Sequence, residues 1–189
     1  MKPAPGGQQP RAPAPHRTRK VIALYNPTVI GVDPGLVHTG IVMLDFNIDQ
    51  RELVVDHRLV DGLDSALARG QVEVMTPTKV YSTLVTFIEK YSPRSGFGVD
   101  EQMVQANADF KRDLDGWLLR NTGVKKVVTQ ELMELCHCWR FPTSTHHQDL
   151  RSAARIALLG MMLDDTLNQV LYTYATDSID GRTWNVTVK

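Results

Sequence analysis

Three acidic positions in this sequence stand where a carboxylate could meet a ligand. Asp33, in "VIGVDPGLVHTG", follows an apolar run and precedes Pro34 and Gly35. Glu101, in "GVDEQM", closes a second short apolar stretch. Asp149, in "HHQDLRSAARIALL", lies three positions after His146, so on a helix their side chains share a face. Taken singly, each has an ordinary explanation. Asp33 can be a metal ligand, the acid of a phosphate loop or turn chemistry, since Pro-Gly suits a type II turn. Asp149 can be a first-turn acid favoured by a helix N-terminus. Asp100 competes with Glu101, but alternation along a strand sends the two to opposite faces. The conjunction says more. Three converging carboxylates repel unless cations sit among them. Mg2+ is hard, seeks oxygen and keeps positions open for water and phosphate. Two such ions roughly 3.5–4 Å apart activate a water and stabilise the leaving 3′-oxygen in phosphodiester cleavage. His146 would orient water or bind a metal.

These residues need strand ends and a helix start to carry them. Strand-forming residues run over 21–32, interrupted by Asn26-Pro27, with further strands expected at 40–46 and 52–60. Val80, Leu84, Phe87, Ile88 and Tyr91 fit one face of a helix over 76–91, with Thr76 as N-cap and Pro77 at the first position. A short strand is expected at 97–104, a helix at 107–123, a fifth strand at 124–132 and a last helix from about 144 toward Tyr172. The order is β-β-β-α-β-α-β-α, an α/β fold with a mixed five-stranded sheet and helices on both faces.

The chain has 189 residues, enough for one domain with a proper core, and no apolar run near the ~20 residues of a membrane span. Formal net charge is zero, but residues 1–20 hold five basic and no acidic residues, leaving 16 basic and 21 acidic in the remainder. A positive tail on a mildly acidic body suits a polyanion partner. The Pro-rich leader 1–20 lacks the apolar segment of a secretory signal and is expected to be disordered. Cys136 and Cys138 are too few for a disulfide framework, which points to a reducing, intracellular compartment. With His137, His146 and His147 they could be read as a zinc site, but C-x-C is unusual spacing, and burial beside Trp139 is the expectation.

In family terms, "GVDPGLVHTG", "DEQMVQANADFKRDL" and "HHQDLRSAARIAL" resemble, in order, the three motifs of RuvC-type Holliday-junction resolvases in the ribonuclease H-like nuclease superfamily. The resemblance implies that residues 21–176 form the nuclease domain, with 177–189 as a C-terminal tail. It implies Asp33, Glu101 and Asp149 as metal ligands and His146 as a fourth catalytic position. It implies two Mg2+ ions, replaceable by Mn2+, and a homodimer that nicks opposed strands of a four-way DNA junction. Around Glu101 the pattern departs from the family. Met103 and Val104 stand where an aromatic is usual, one residue is missing before Asn107, and Asp100 occupies an apolar position. The stretch before His146 is also short. Basic residues that could touch a DNA backbone are Lys111, Arg112, Arg120, Lys125, Lys126 and Arg140. The same metal centre would also serve flaps, other branched DNA or RNA–DNA hybrids. "DPGLVHTG" is similar as well to the first phosphate loop of actin-like ATPases and sugar kinases, whose second lobe and second loop find no room here. A non-catalytic DNA-binding module would be expected to have lost one of the acids.

Overall fold

The computed structural model describes residues 26–76, 82–93, 100–142 and 144–189. The expected leader lies outside them. Strands β1 (Asn26–Asp33), β2 (His38–Asn47) and β3 (Glu52–Asp61) form an antiparallel meander. Helix α1 (Ser65–Met75) follows, with Asp64 as its N-cap, and then β4 (Ser82–Lys90). Helix α2 (Asp100–Asp113) leads to β5 (Trp117–Arg120). Two short helices, α3 (Val124–Val127) and α4 (Gln130–Leu135), precede the long α5 (His147–Leu163). The chain finishes with α6 (Asp165–Ile179) and β6 (Asn185–Val188).

The sheet order is β5-β4-β1-β2-β3-β6. β4 runs parallel to β1, β5 parallel to β4, and β6 parallel to β3, so β2 alone runs against the rest. Alternation divides the core between two faces. Ile30, Val32, Ile41 and Met43 pack with Ala68 and Val72 of α1 and Ala106 and Phe110 of α2. Val29, Val42, Leu44 and Phe46 pack with α5, α6 and the α3–α4 segment.

The mixed α/β sheet with helices on both faces is as expected, but several segments change identity. The helix expected over 76–91 is strand β4, and its first residues lie outside the described set. A parallel strand covered on both faces loses its alternation, and its apolar run then mimics a helical stripe. Thr83, Val85, Thr86 and Ile88 are β-branched and favour the strand. The missing helix is α1, where no element was expected. The strand expected at 97–104 falls partly outside the described residues and otherwise on α2. That helix stops at Asp113, and Asp115 takes a left-handed φ of 47° before the chain becomes β5. Residues 124–132 are α3 and the start of α4 rather than a strand. The last helix breaks at Asp164, whose Oδ1 accepts from the Thr166 and Leu167 amides at 3.0 and 2.8 Å. Residues 177–189, expected as a tail, complete a sixth strand and bury Trp184 against Phe46 and Tyr174.

Candidate active site

Asp33 ends β1, and Glu89 lies one residue before the end of the neighbouring parallel strand β4. Val32 is in register with Ile88, so the next residues on the two strands, Asp33 and Glu89, lie side by side. Alternation places both on the α5 face: Asp33 shares parity with Val29 and Gly31, and Glu89 with Phe87. The Asp33 carboxyl donates a hydrogen bond to Glu89. Burial, then the charge of Glu89, its hydrogen bond and the charge of Asp149 push Asp33 up to about 8, while a hydrogen bond with Ser152 acts the other way. Burial lifts Glu89 as well, against hydrogen bonds with Asp33 and with the Asn121 side-chain amide. Two buried carboxyls side by side keep a proton between them because both cannot ionise cheaply.

Helix α5 reaches this pair because two glycines leave it room. A Cβ on Gly31 would collide with the Ala153 carbonyl, and one on Gly40 would stand 2.5 Å from the Asp149 carbonyl. Gly40 is the register partner of Asp33. The first turns of α5 therefore rest directly on the sheet beside Asp33, which brings in Asp149 and Ser152. The expected type II turn is not what Gly35 serves, since the glycines with positive φ among the described residues are Gly62, Gly123 and Gly181. A Cβ on Gly35 would instead strike the His38 carbonyl.

His146 is the N-cap residue of α5, and its exposed ring packs against that of His38, with centroids 4.4 Å apart. His38 Nδ1 lies 3.4 Å from Asp61 Oδ1. Asp149 and His38 line one cleft of about 330 Å³ together with Gly35, Leu36, Val37, Tyr91 and Met103. Asn107, buried on α2, fixes the other rim. Its Oδ1 accepts from the Tyr91 amide at 2.6 Å and its Nδ2 donates to the Glu89 carbonyl at 3.0 Å, gripping the chain on both sides of Lys90.

Glu101 takes no part in this arrangement. It is exposed in the first turn of α2, not at a strand end, and the carboxylates that act on Asp33 are Glu89 and Asp149. The departures from the family pattern around Glu101 are the sequence signal that set this acid apart from Asp33 and Asp149. The ending "VTFIE", a β-branched run closed by an acid, is the signal for Glu89. Ser152 and Asn121 carry no pattern that sequence reasoning could have used.

The donor set is all oxygen and suits a hard divalent cation. Among the described residues, no group of three or more His, Cys, Asp or Glu side chains lies close enough together to hold a metal ion. The fit therefore rests on the Asp33–Glu89 pair, with Asp149 in electrostatic range.

In fold the chain is similar to Holliday-junction resolvases. RuvC of T. thermophilus, in complex with Holliday junction substrate, has 12% identity and a TM-score of 0.49, over 83% of this chain and 98% of that one. Fowlpox virus resolvase, in complex with its substrate Holliday junction DNA, has 10% identity and a TM-score of 0.40, over 72% and 97%. The yeast mitochondrial Holliday junction resolvase Ydc2 has 16% identity and a TM-score of 0.40, over 81% and 87%. No family model and no curated protein sequence matches the chain.

The six basic residues named from the sequence are all exposed but differ in setting. Lys125 and Lys126 line a cleft of about 280 Å³ with Glu89, Asn121, Ser152 and Arg155. Arg112 is bound to Asp109 and Asp113 at 2.9 and 2.8 Å, and Arg140 lines a different cavity beside Trp139. Lys111 and Arg120 line none of these clefts. Cys136 and Cys138 are free and fully buried, and burial pushes the Cys136 thiol up to about 12. No helix among the described residues is long and apolar enough to cross a membrane.

Proposed function

We propose that this chain is a Mg2+-dependent endonuclease for branched DNA that resolves four-way junctions by paired nicks. The observation that carries the reading is the Asp33–Glu89 pair at adjacent strand tips, closed over by Asp149 and Ser152 of α5. A pair of acids buried together serves stability poorly, because each raises the cost of ionising the other. An all-oxygen set of this kind gains its use when a cation joins it. Asp33 and Glu89 would hold the metal, with Asp149 in electrostatic range, two Mg2+ ions in this reading, with Mn2+ able to replace them. Bound there, the ions would supply an activated water and charge stabilisation at the leaving oxygen.

The chain's own residues do the rest. Ser152 holds the Asp33 carboxyl and Asn121 that of Glu89, while Asn107 fixes the backbone under Glu89. His146, packed against the cleft-lining His38, orients the incoming water. Lys125 and Lys126 face a strand phosphate beside Glu89. Paired nicks need two such centres, so a homodimer is part of the proposal. A second reading keeps the centre but assigns flaps, other branched DNA or RNA–DNA hybrids. The brevity of α3 and α4, the segment between β5 and α5, favours it.

End-labelled four-way junction, flap, duplex and RNA–DNA hybrid, each with Mg2+ or EDTA, decide between them. Symmetric Mg2+-dependent nicks in the junction, absent in Asp33→Asn, are the expected result. Cutting confined to flaps or hybrids selects the second reading. Tight junction binding without cutting removes both.

A further inference from the structure

Arg155 projects from α5 into the cleft of about 280 Å³ that also holds Lys125, Lys126, Asn121, Ser152 and Glu89. Its Nε is buried and has no hydrogen-bond partner among the described residues. It forms no ion pair among them either. The nearest charges add to its discomfort: Arg151 on the previous helical turn is another cation, and desolvation together with that charge lowers the Arg155 pKa. Arg151 is already engaged, stacked 3.8 Å over the Trp139 ring and donating to the Trp139 carbonyl at 2.8 Å. Arg155 is 5.6 Å from the same ring, so the aromatic surface limits where the guanidinium can swing. A half-buried guanidinium without an anion costs stability, and such a cost persists where a ligand offsets it.

We propose that Arg155, with Lys125 and Lys126, forms a seat for a phosphate oxyanion beside Glu89, filled in use by a backbone phosphate next to the one being cut. A guanidinium presents paired donors to phosphate oxygens, and two ammonium groups add charge without fixing orientation. Glu89, lining the same cleft, sets the limit on how far the anion enters. That the phosphate belongs to a DNA strand rests on the nuclease reading; the seat itself does not.

The test is thermal unfolding of the whole chain in EDTA, in sodium phosphate against chloride of matched ionic strength. Phosphate about tenfold above its dissociation constant raises the wild-type midpoint by roughly 3–6 °C. Arg155→Met loses that rise, and its own midpoint in chloride equals or exceeds the wild type, because a half-buried cation without an anion has gone. Arg155→Gln, which keeps polarity without charge, loses the rise as well and guards against a packing artefact of methionine. With labelled four-way junction, Arg155→Met flattens the log–log salt dependence of binding by about one. A phosphate shift and a salt slope that survive in both variants overturn the seat. A phosphate shift lost in both variants, with an unchanged salt slope, keeps the seat but assigns it to free phosphate and overturns the strand assignment. A seat that behaves as stated in a chain that cuts no nucleic acid leaves the phosphate seat standing and removes the nuclease reading together with the cut-site placement that rests on it.

Discussion

Asp33 donates a hydrogen bond to Glu89 across the tips of two parallel strands, and both carboxyls lie beneath the first turns of one helix. Each comes from a strand interior turned acidic at its last core-facing position. The register, not the local sequence, decides which acids meet.

Glu89→Gln and Glu101→Gln therefore separate two assignments. Under the nuclease reading, the first lowers the cleavage rate by roughly three orders of magnitude, the scale of losing several kcal/mol of transition-state stabilisation. The second leaves it within about twofold, as expected of a surface site. Single-turnover rates on a labelled junction read both. Equal effects would return Glu101 to the site.

Metal-free stability has a stated pH dependence at this pair. Asp33 is raised in the fold to about 8 from an ordinary value of 3.8, so between these values the folded state binds more protons than the unfolded one. Its contribution is complete below about 4 and is lost as pH rises through about 8. In EDTA the unfolding midpoint should fall over that window. Asp33→Asn should flatten the profile and gain roughly 1–2 kcal/mol near neutral pH, or about 2–8 °C. Cation binding must displace the shared proton, so Mg2+ affinity measured by calorimetry should climb about tenfold per pH unit until about pH 8.

His38 touches His146 through its ring and Asp61 through Nδ1, and the two contacts differ in worth. The Asp61 side chain is 98% exposed, which leaves that pair screened and weak. The ring contact sets His146 against a residue that lines the cleft. His38→Phe should keep near-normal cleavage, whereas His38→Ala should lower kcat about tenfold with KM unchanged, the pattern of an interaction felt only in the transition state. Equal losses in both would mean that Nδ1, not the ring, matters.

Asp177 ties the end of the chain to its body. It accepts from Trp184 Nε1 at 3.2 Å and Arg182 at 3.0 Å, and pairs with Arg51 at 3.4 Å. Trp184→Ala should cost about 3–5 kcal/mol by urea unfolding, the range for emptying a buried tryptophan site. A chain ending at residue 176 should not fold cooperatively. A stable truncated chain would restore the boundary expected from the sequence.

Legibility in the sequence followed a physical division. β1, β2, β3 and the start of α5 were readable because their signals are local: alternation, turn residues and a His-x-x-Asp at a helix entry. β4 was not, because its covered apolar run satisfies helical and extended patterns alike. That one error displaced the elements between β4 and α5 by a segment, and placed the candidate acid at Glu101 rather than Glu89, while the first eight elements still came out in the expected order. Asp33, Asp149 and His146 come near one another because each is anchored to its own local signal at a strand end or helix entry. Ser152, Asn121 and Arg155 matter through what packs around them, and nothing beside them in the chain announces it.

The glycine seat under α5 has a kinetic meaning. Asp33, Glu89 and Asp149 come from segments distant in the chain, and Asp149 reaches the pair only after a helix has settled on bare backbone at Gly31 and Gly40. Contacts of that kind form late. The mutual repulsion of the acids then weighs on the finished fold and little on the barrier to reaching it, so it should speed unfolding and leave folding almost untouched. A bound cation, for the same reason, should lengthen the lifetime of the folded chain far more than it hastens its formation.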